Sequence, residues 1–181
     1  ADQSEWVMAR DTFKGQDLKV LGTDGNDYLW SHTILAETLE GGAGNDLMYG
    51  GAGDILFGGT GNDKIVGEGK SIIIGGAGND HLSGSNGNDS LYGGSSADSL
   101  YGGDGLDQLF GGAGSDTFVG GIGDTIVGGA GDNDVLDLRG AAARHRDDPL
   151  EGLPQFPVPA DPRPDESVTA HFPVREERGD H

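Results

Sequence analysis

From Gly22 to Leu136 the chain repeats itself with a period of nine residues. Full copies read GGAGNDLMY from Gly41, GGTGNDKIV from Gly58, GGAGNDHLS from Gly75, GSNGNDSLY from Gly84, GGSSADSLY from Gly93, GGDGLDQLF from Gly102 and GGAGSDTFV from Gly111. Glycine recurs at positions one, two and four, aspartate at six and a large apolar residue at eight. Three copies have eight residues: GGAGDILF from Gly50, GEGKSIII from Gly67 and GGIGDTIV from Gly120. Upstream stand GTDGNDYLW from Gly22 and a degenerate unit from His32 to Glu40, where Glu37 and Leu39 take positions six and eight. The last unit runs from Gly128 to Leu136, with Asn133 at position six. A unit this short cannot bury an apolar face alone, so the units must stack on one another.

The pattern resembles the RTX family, the hemolysin-type calcium-binding repeats of exported bacterial proteins. The resemblance covers about two-thirds of the chain. It implies an all-β fold, a parallel β-roll of about 13 units, with Ca²⁺ as the bound ion and several ions per chain. Carried onto this sequence, the implied metal residues are Asp27, Asp46, Asp63, Asp80, Asp89, Asp98, Asp107, Asp116 and Asp124. With them go the glycines Gly41, Gly42 and Gly44; Gly58, Gly59 and Gly61; Gly75, Gly76 and Gly78; Gly102, Gly103 and Gly105; and Gly111, Gly112 and Gly114. Family members leave bacteria unfolded through type I secretion machinery and fold outside, where Ca²⁺ is plentiful. The resemblance implies the same route and an extracellular location here. The stretch from Trp6 to Thr23 also resembles the hairpin that flanks such blocks.

The residue types suit that chemistry. Glycine allows sharp turns with φ > 0. Sharp turns aim peptide carbonyls at a common point, and position six adds a carboxylate. Several carbonyls plus carboxylates suit a hard cation, and Ca²⁺ accepts six to eight oxygens in irregular geometry. Neither Cys nor His recurs in the period, which argues against Zn²⁺ and Cu²⁺. Positions seven to nine form a short strand. At position eight stand Leu29, Leu39, Met48, Leu56, Ile65, Ile73, Leu82, Leu91, Leu100, Leu109, Phe118, Ile126 and Val135, a stripe that two stacked parallel sheets would bury. Tyr49, Phe57, Tyr92, Tyr101 and Phe110, at position nine, then face outward.

Composition divides the chain into three. Residues 1–21 read as a flanking β-hairpin, Glu5 to Arg10 and Asp17 to Leu21 around a polar turn containing Gly15. Residues 22–136 are the roll. Residues 137–181 contain all seven prolines and read as a largely irregular tail, a place for a cap or a secretion signal. The full charge is −20, which excludes nucleic-acid binding through a basic face. No apolar run is long enough to span a membrane. The absence of Cys rules out disulfides and a cysteine nucleophile. His32, His81, His145, His171 and His181 show no HExxH spacing. Gly67-Glu68-Gly69-Lys70-Ser71 mimics the end of a phosphate-binding loop, but Lys64 stands where its first glycine belongs.

The expected function is Ca²⁺ binding that drives folding, with no catalysis in this chain. Stacked without metal, the aspartate columns would repel one another. A different class of function is a roll that binds carbohydrate or a host surface, attached to a toxin, protease, lipase or alginate-modifying enzyme. Alternate units sort into two columns of loops, and all three shortened units fall in one. Near-continuous Ca²⁺ is therefore expected on the column from Asp27 to Asp116. On the other, one well-made site is expected between the Asp89 and Asp107 loops, with a weaker one toward Asp124.

Overall fold

The structure, a computed structural model, describes residues 6–9, 19–31, 35–131 and 133–137. The described residues form fifteen strands and no helix. In chain order, odd-numbered strands make one parallel sheet: β1 (Trp6–Ala9), β3 (Tyr28–Ser31), β5 (Leu47–Gly50), β7 (Lys64–Gly67), β9 (His81–Ser83), β11 (Ser99–Tyr101), β13 (Thr117–Val119) and β15 (Val135–Asp137). Even-numbered strands make the other: β2 (Lys19–Leu21), β4 (Thr38–Ala43), β6 (Ile55–Thr60), β8 (Ile72–Ala77), β10 (Ser90–Ser95), β12 (Gln108–Ala113) and β14 (Thr125–Ala130). The chain alternates between sheets at every unit. It is an all-β parallel β-roll.

The apolar stripe explains the stacking. Leu29, Leu39, Met48, Leu56, Ile65, Ile73, Leu82, Leu91, Leu100, Leu109 and Phe118 form one buried cluster, with Ile126 packed against it. From β3 to β13 each strand turns its position-eight residue inward, because successive side chains alternate faces. Position-eight residues thus meet their counterparts one coil away, as in Leu56 opposite Ile73 and Leu82 opposite Leu100. The strands β4, β6, β8, β10, β12 and β14 run six residues because the next unit's first three residues stay in the ladder. Gly42, Gly59, Gly76, Gly94, Gly112 and Gly129 pair in a row there, all at positive φ.

Two expectations fail. The N-terminal hairpin does not form: β1 pairs in parallel with β3, Trp6 opposite Tyr28, while β2 pairs in parallel with β4, Lys19 opposite Thr38. Two short strands flanking a polar stretch satisfy the local rule for a hairpin, but the open edges of a roll offer parallel pairing in separate sheets. Val20 takes the position-eight register opposite Leu39 and joins the buried core. The turn containing Gly15 lies outside the described residues.

The last unit also shifts. Val135 does not take position eight; Leu136 does, opposite Phe118. Asn133 is an added residue at φ 78°, so the unit runs to Asp137 and Asp134 takes position six. Asparagine tolerates this left-handed conformation better than most residues, which lets the extra residue be absorbed in the loop. The tail beyond Asp137, including Leu138, Leu150 and Phe156 and the suggested secretion signal, lies outside the described residues.

Candidate metal centre

The loops stack as two columns, one at each edge of the sheets. In the first, the backbone N–H of Asp27 donates to Oδ1 of Asp46 at 2.8 Å. Asp46 donates likewise to Asp63, Asp63 to Asp80, Asp80 to Asp98, Asp98 to Asp116 and Asp116 to Asp134, all at 2.8–2.9 Å. In the second column Glu37 donates to Asp54, Ser71 to Asp89, Asp89 to Asp107 and Asp107 to Asp124. Ser71, buried, stands where the Gly67 unit lacks a carboxylate, so the N–H of Asp54 turns to the Gly51 carbonyl instead. The second column is broken at that point.

The remaining oxygens decide the chemistry. Oδ2 of Asp46, Asp63, Asp80, Asp98 and Asp116 in the first column, and of Asp89 and Asp107 in the second, is buried with no hydrogen-bond partner. A charged acceptor left this way costs more than the ~1–3 kcal/mol of an unsatisfied neutral group. Backbone oxygen sits close by. A Cβ placed on Gly58 would lie 2.6 Å from the carbonyl oxygen of Gly75, and closer still to Oδ2 of Asp63. Gly41, Gly75, Gly93 and Gly111 repeat the arrangement in their column, and Gly84 repeats it beside Asp89. At Gly102 only the Asp107 carboxylate is near. Position one must be glycine because these two oxygens occupy the place of a side chain.

Position two brings Gly42, Gly59, Gly76, Gly103 and Gly112 to positive φ, and position four does the same for Gly44, Gly61, Gly78, Gly105 and Gly114. These turns stack backbone closely on backbone: a Cβ on Gly59 would come within 2.0 Å of the Gly42 carbonyl oxygen.

Burial dominates the electrostatics. It pushes the carboxyls of Asp80 and Asp89 up to about 7 and those of Asp46 and Asp98 up to about 6, against the lowering effect of the accepted backbone N–H. Asp63 and Asp107 are raised for the same leading reason. Neighbouring carboxylates add repulsion, Asp63 and Asp98 on Asp80 and Asp107 on Asp89. The column therefore lacks positive charge. Among the described residues no three acidic or histidine side chains converge. A cation here would take one or two carboxylate oxygens and complete its shell with peptide carbonyls, a donor set that fits Ca²⁺.

The model of the RTX calcium-binding nonapeptide repeat, HemolysinCabind, matches in four copies, at residues 34–65, 53–69, 66–100 and 92–127, together more than half of the chain. The chain belongs to the RTX family. Its repeats are calcium-binding repeats, and Ca²⁺ is the ion they take. A search of curated proteins gave no match.

Not every predicted residue of this RTX chain sits alike. Asp27 accepts the N–H of Thr23 and, at 2.9 Å, its hydroxyl on Oδ2. Asp124 accepts the N–H of Gly121 on Oδ2 at 2.6 Å. Both were expected beside the other metal residues, and both have their second oxygen engaged by the chain.

Other contributors escaped the sequence reading. Asp134 replaces Asn133, and Ser71 fills the carboxylate gap. Position five forms its own exposed ladder: Asn45 N–H donates to Asn26 Oδ1, Asn62 to Asn45, Asn79 to Asn62, and Ala97 to Asn79. Leu106 N–H donates to Asn88 in the second column. The recurrent Asn of GxGND was the available signal. These bonds point back one coil, whereas the aspartate bonds point forward, so each loop is tied to both neighbours.

Proposed function

We propose that this RTX chain is a module whose folding is driven by Ca²⁺ after type I export from a bacterium, with a binding role and no catalysis of its own. The observation that carries this reading is the set of seven buried Oδ2 atoms without partners. Bound Ca²⁺ supplies the positive charge that these carboxylates lack. Asp46, Asp63, Asp80, Asp98 and Asp116 would hold it in one column, and Asp89 and Asp107 in the other. Residues 22–139 carry 18 acidic and three basic side chains, so the metal-free chain is expected to be largely unfolded. An affinity of ~10⁻⁴–10⁻³ M would leave it open in the cytosol and folded outside.

Far-UV circular dichroism tests this. Coil is expected in EGTA and β structure in millimolar Ca²⁺, with Mg²⁺ a poor substitute because it demands tight octahedral geometry. Full β signal in chelator would overturn metal-driven folding.

A second reading, binding of carbohydrate or a host surface, draws on the outer face of the even-numbered sheet. There Tyr92 stacks on Phe110 with ring centroids 5.0 Å apart. Tyr92 and Val127 stay exposed in the same register row. A glycan array in Ca²⁺ against EGTA separates this reading from a pure folding role.

A further inference from the structure

Besides Glu37 and the exposed Asp134, three position-six carboxylates differ from the seven above, for a local reason in each case. In the eight-residue Gly50 unit, Asp54 follows the second glycine by three residues instead of four. Its Oδ2 then reaches back to the N–H of Gly51 at 2.7 Å, and its own N–H meets the Gly51 carbonyl at 3.3 Å. The eight-residue Gly120 unit repeats the closure, Gly121 N–H to Asp124 Oδ2. In the Gly22 unit the length is full, but Thr23 replaces the second glycine. Its N–H and hydroxyl both settle on Asp27 Oδ2, with a longer hydroxyl contact to Oδ1 at 3.1 Å.

The first glycine responds to the shortening. A Cβ on Gly50 would meet the Leu56 side chain, and one on Gly120 the Ile126 side chain, not a pair of converging oxygens. Losing one residue turns position one from the carboxylate toward the core. The full-length Gly22 unit keeps the pair, a Cβ on Gly22 lying 2.7 Å from Asp27 Oδ2 and closer still to the Gly41 carbonyl oxygen, so the assignment of Asp27 rests on Thr23 alone.

These residues also sit at particular places. Asp27 opens the first column. Asp124 closes the second. Asp54 lies just before the break at Ser71, and Glu37, one coil earlier, accepts the Ser31 hydroxyl on Oε2 at 2.7 Å. Among the described residues, the buried partnerless Oδ2 atoms lie between these points.

We propose that Asp27, Asp54 and Asp124 are metal-independent latches that delimit the Ca²⁺ ladders, each holding its loop with backbone N–H groups where its neighbours need an ion. The inference rests on the Ca²⁺ reading and adds where the ions stop. Loop length, or Thr23, decides whether a carboxylate is a ligand or a latch.

Counting Ca²⁺ bound per full chain, by equilibrium dialysis with the metal alone, tests it. Asp54→Asn and Asp124→Asn are expected to bind as many ions as the wild type, whereas Asp63→Asn and Asp89→Asn each bind fewer. Inserting one glycine after Gly53, which restores the nine-residue length, is expected to free Asp54 and raise the count by one. Loss of an ion in Asp54→Asn or Asp124→Asn, or an unchanged count in the insertion variant, overturns the latch assignment while leaving Ca²⁺ binding intact. A wild-type chain that binds no Ca²⁺ overturns the Ca²⁺ reading itself, and the latches fall with it. Should Asp54→Asn fail to fold in Ca²⁺, Asp124→Asn and the insertion variant still decide the matter.

Discussion

Asp46 donates its backbone N–H to Oδ1 of Asp63 at 2.9 Å, while Oδ2 of the same Asp63 is buried and partnerless. One carboxylate thus does two jobs. The first oxygen fixes the register of two coils, and the second carries uncompensated charge into the loop stack. Separating the two jobs leads to the first prediction.

Asp80→Asn preserves the shape and the Oδ1 acceptor for Asp63 but removes the charge. It is expected to raise the Ca²⁺ concentration at the folding midpoint about tenfold, equivalent to ~1.4 kcal/mol. Asp54→Asn should move it far less, because Asp54 already spends Oδ2 on Gly51. Calcium titrations followed by circular dichroism compare them; equal shifts would contradict the distinction.

Acid should partly replace the metal. Burial raises Asp80 and Asp89 to about 7 and Asp46 and Asp98 to about 6 in the folded, metal-free roll, above the ordinary value of 3.8. The folded state then binds more protons than the unfolded state over this range, so stability falls as pH rises. The stabilisation is fully present below about pH 4 and is lost as pH climbs through 6 to 7. In EGTA, β signal is expected to grow on going from pH 8 to pH 5. Over the same range the Ca²⁺ concentration at the folding midpoint should fall, because protons already supply part of the stabilisation, while each bound ion is held more weakly, since proton and ion compete for the same oxygens. A flat metal-free signal between pH 8 and pH 5 would count against protonation of these carboxyls in the fold.

Neighbouring glycines should fail differently. Gly58 lies outside the positive-φ region, and a Cβ there would intrude only between Asp63 Oδ2 and the Gly75 carbonyl. Gly59 sits at φ 116°, with the Gly42 backbone against it. Gly58→Ala is expected to weaken Ca²⁺ binding while saturating Ca²⁺ still yields the fold. Gly59→Ala should not reach the wild-type β signal at any Ca²⁺ concentration. Two variants with the same Ca²⁺ response would show that position one is not a cradle for the ion.

These differences mark what a linear reading reaches. The period alone placed Asp63 beside Asp46 and Asp80 and laid Leu56 under Ile73, because phase along the chain becomes stacking in a solenoid. Unit length already set Asp54, in a shortened loop, apart from Asp63, but not what its carboxylate does instead of holding an ion. Only the fold reveals that a loop one residue shorter turns Oδ2 onto Gly51. The period put Asn133 at position six, and Asp134 takes it because Phe118 pairs with Leu136 rather than Val135. The strands Trp6–Ala9 and Lys19–Leu21 satisfied a local hairpin rule that the edges of the two sheets overrode.

The last prediction concerns the end of the roll. Phe118 is buried, yet Leu136, next to it in register, is 49% exposed, and Val135 is 54% exposed. Ile126, at the same end in the other sheet, is only partly buried. β14 and β15 are also the outermost strands of their sheets, so their outer backbone groups have no further strand to pair with among the described residues. Solenoids shield such ends, because an open apolar stripe and a bare edge favour association. Residues 138–181 follow directly and include Leu138, Leu150 and Phe156. Deleting them is expected to raise the Ca²⁺ concentration needed for folding and to increase self-association of the folded roll. Calcium titration by circular dichroism, paired with sedimentation velocity in saturating Ca²⁺, checks both. An unchanged midpoint and a monomeric roll would assign those residues to export or linkage instead, and would mean that Leu136 and the β14–β15 edge tolerate water without a cover.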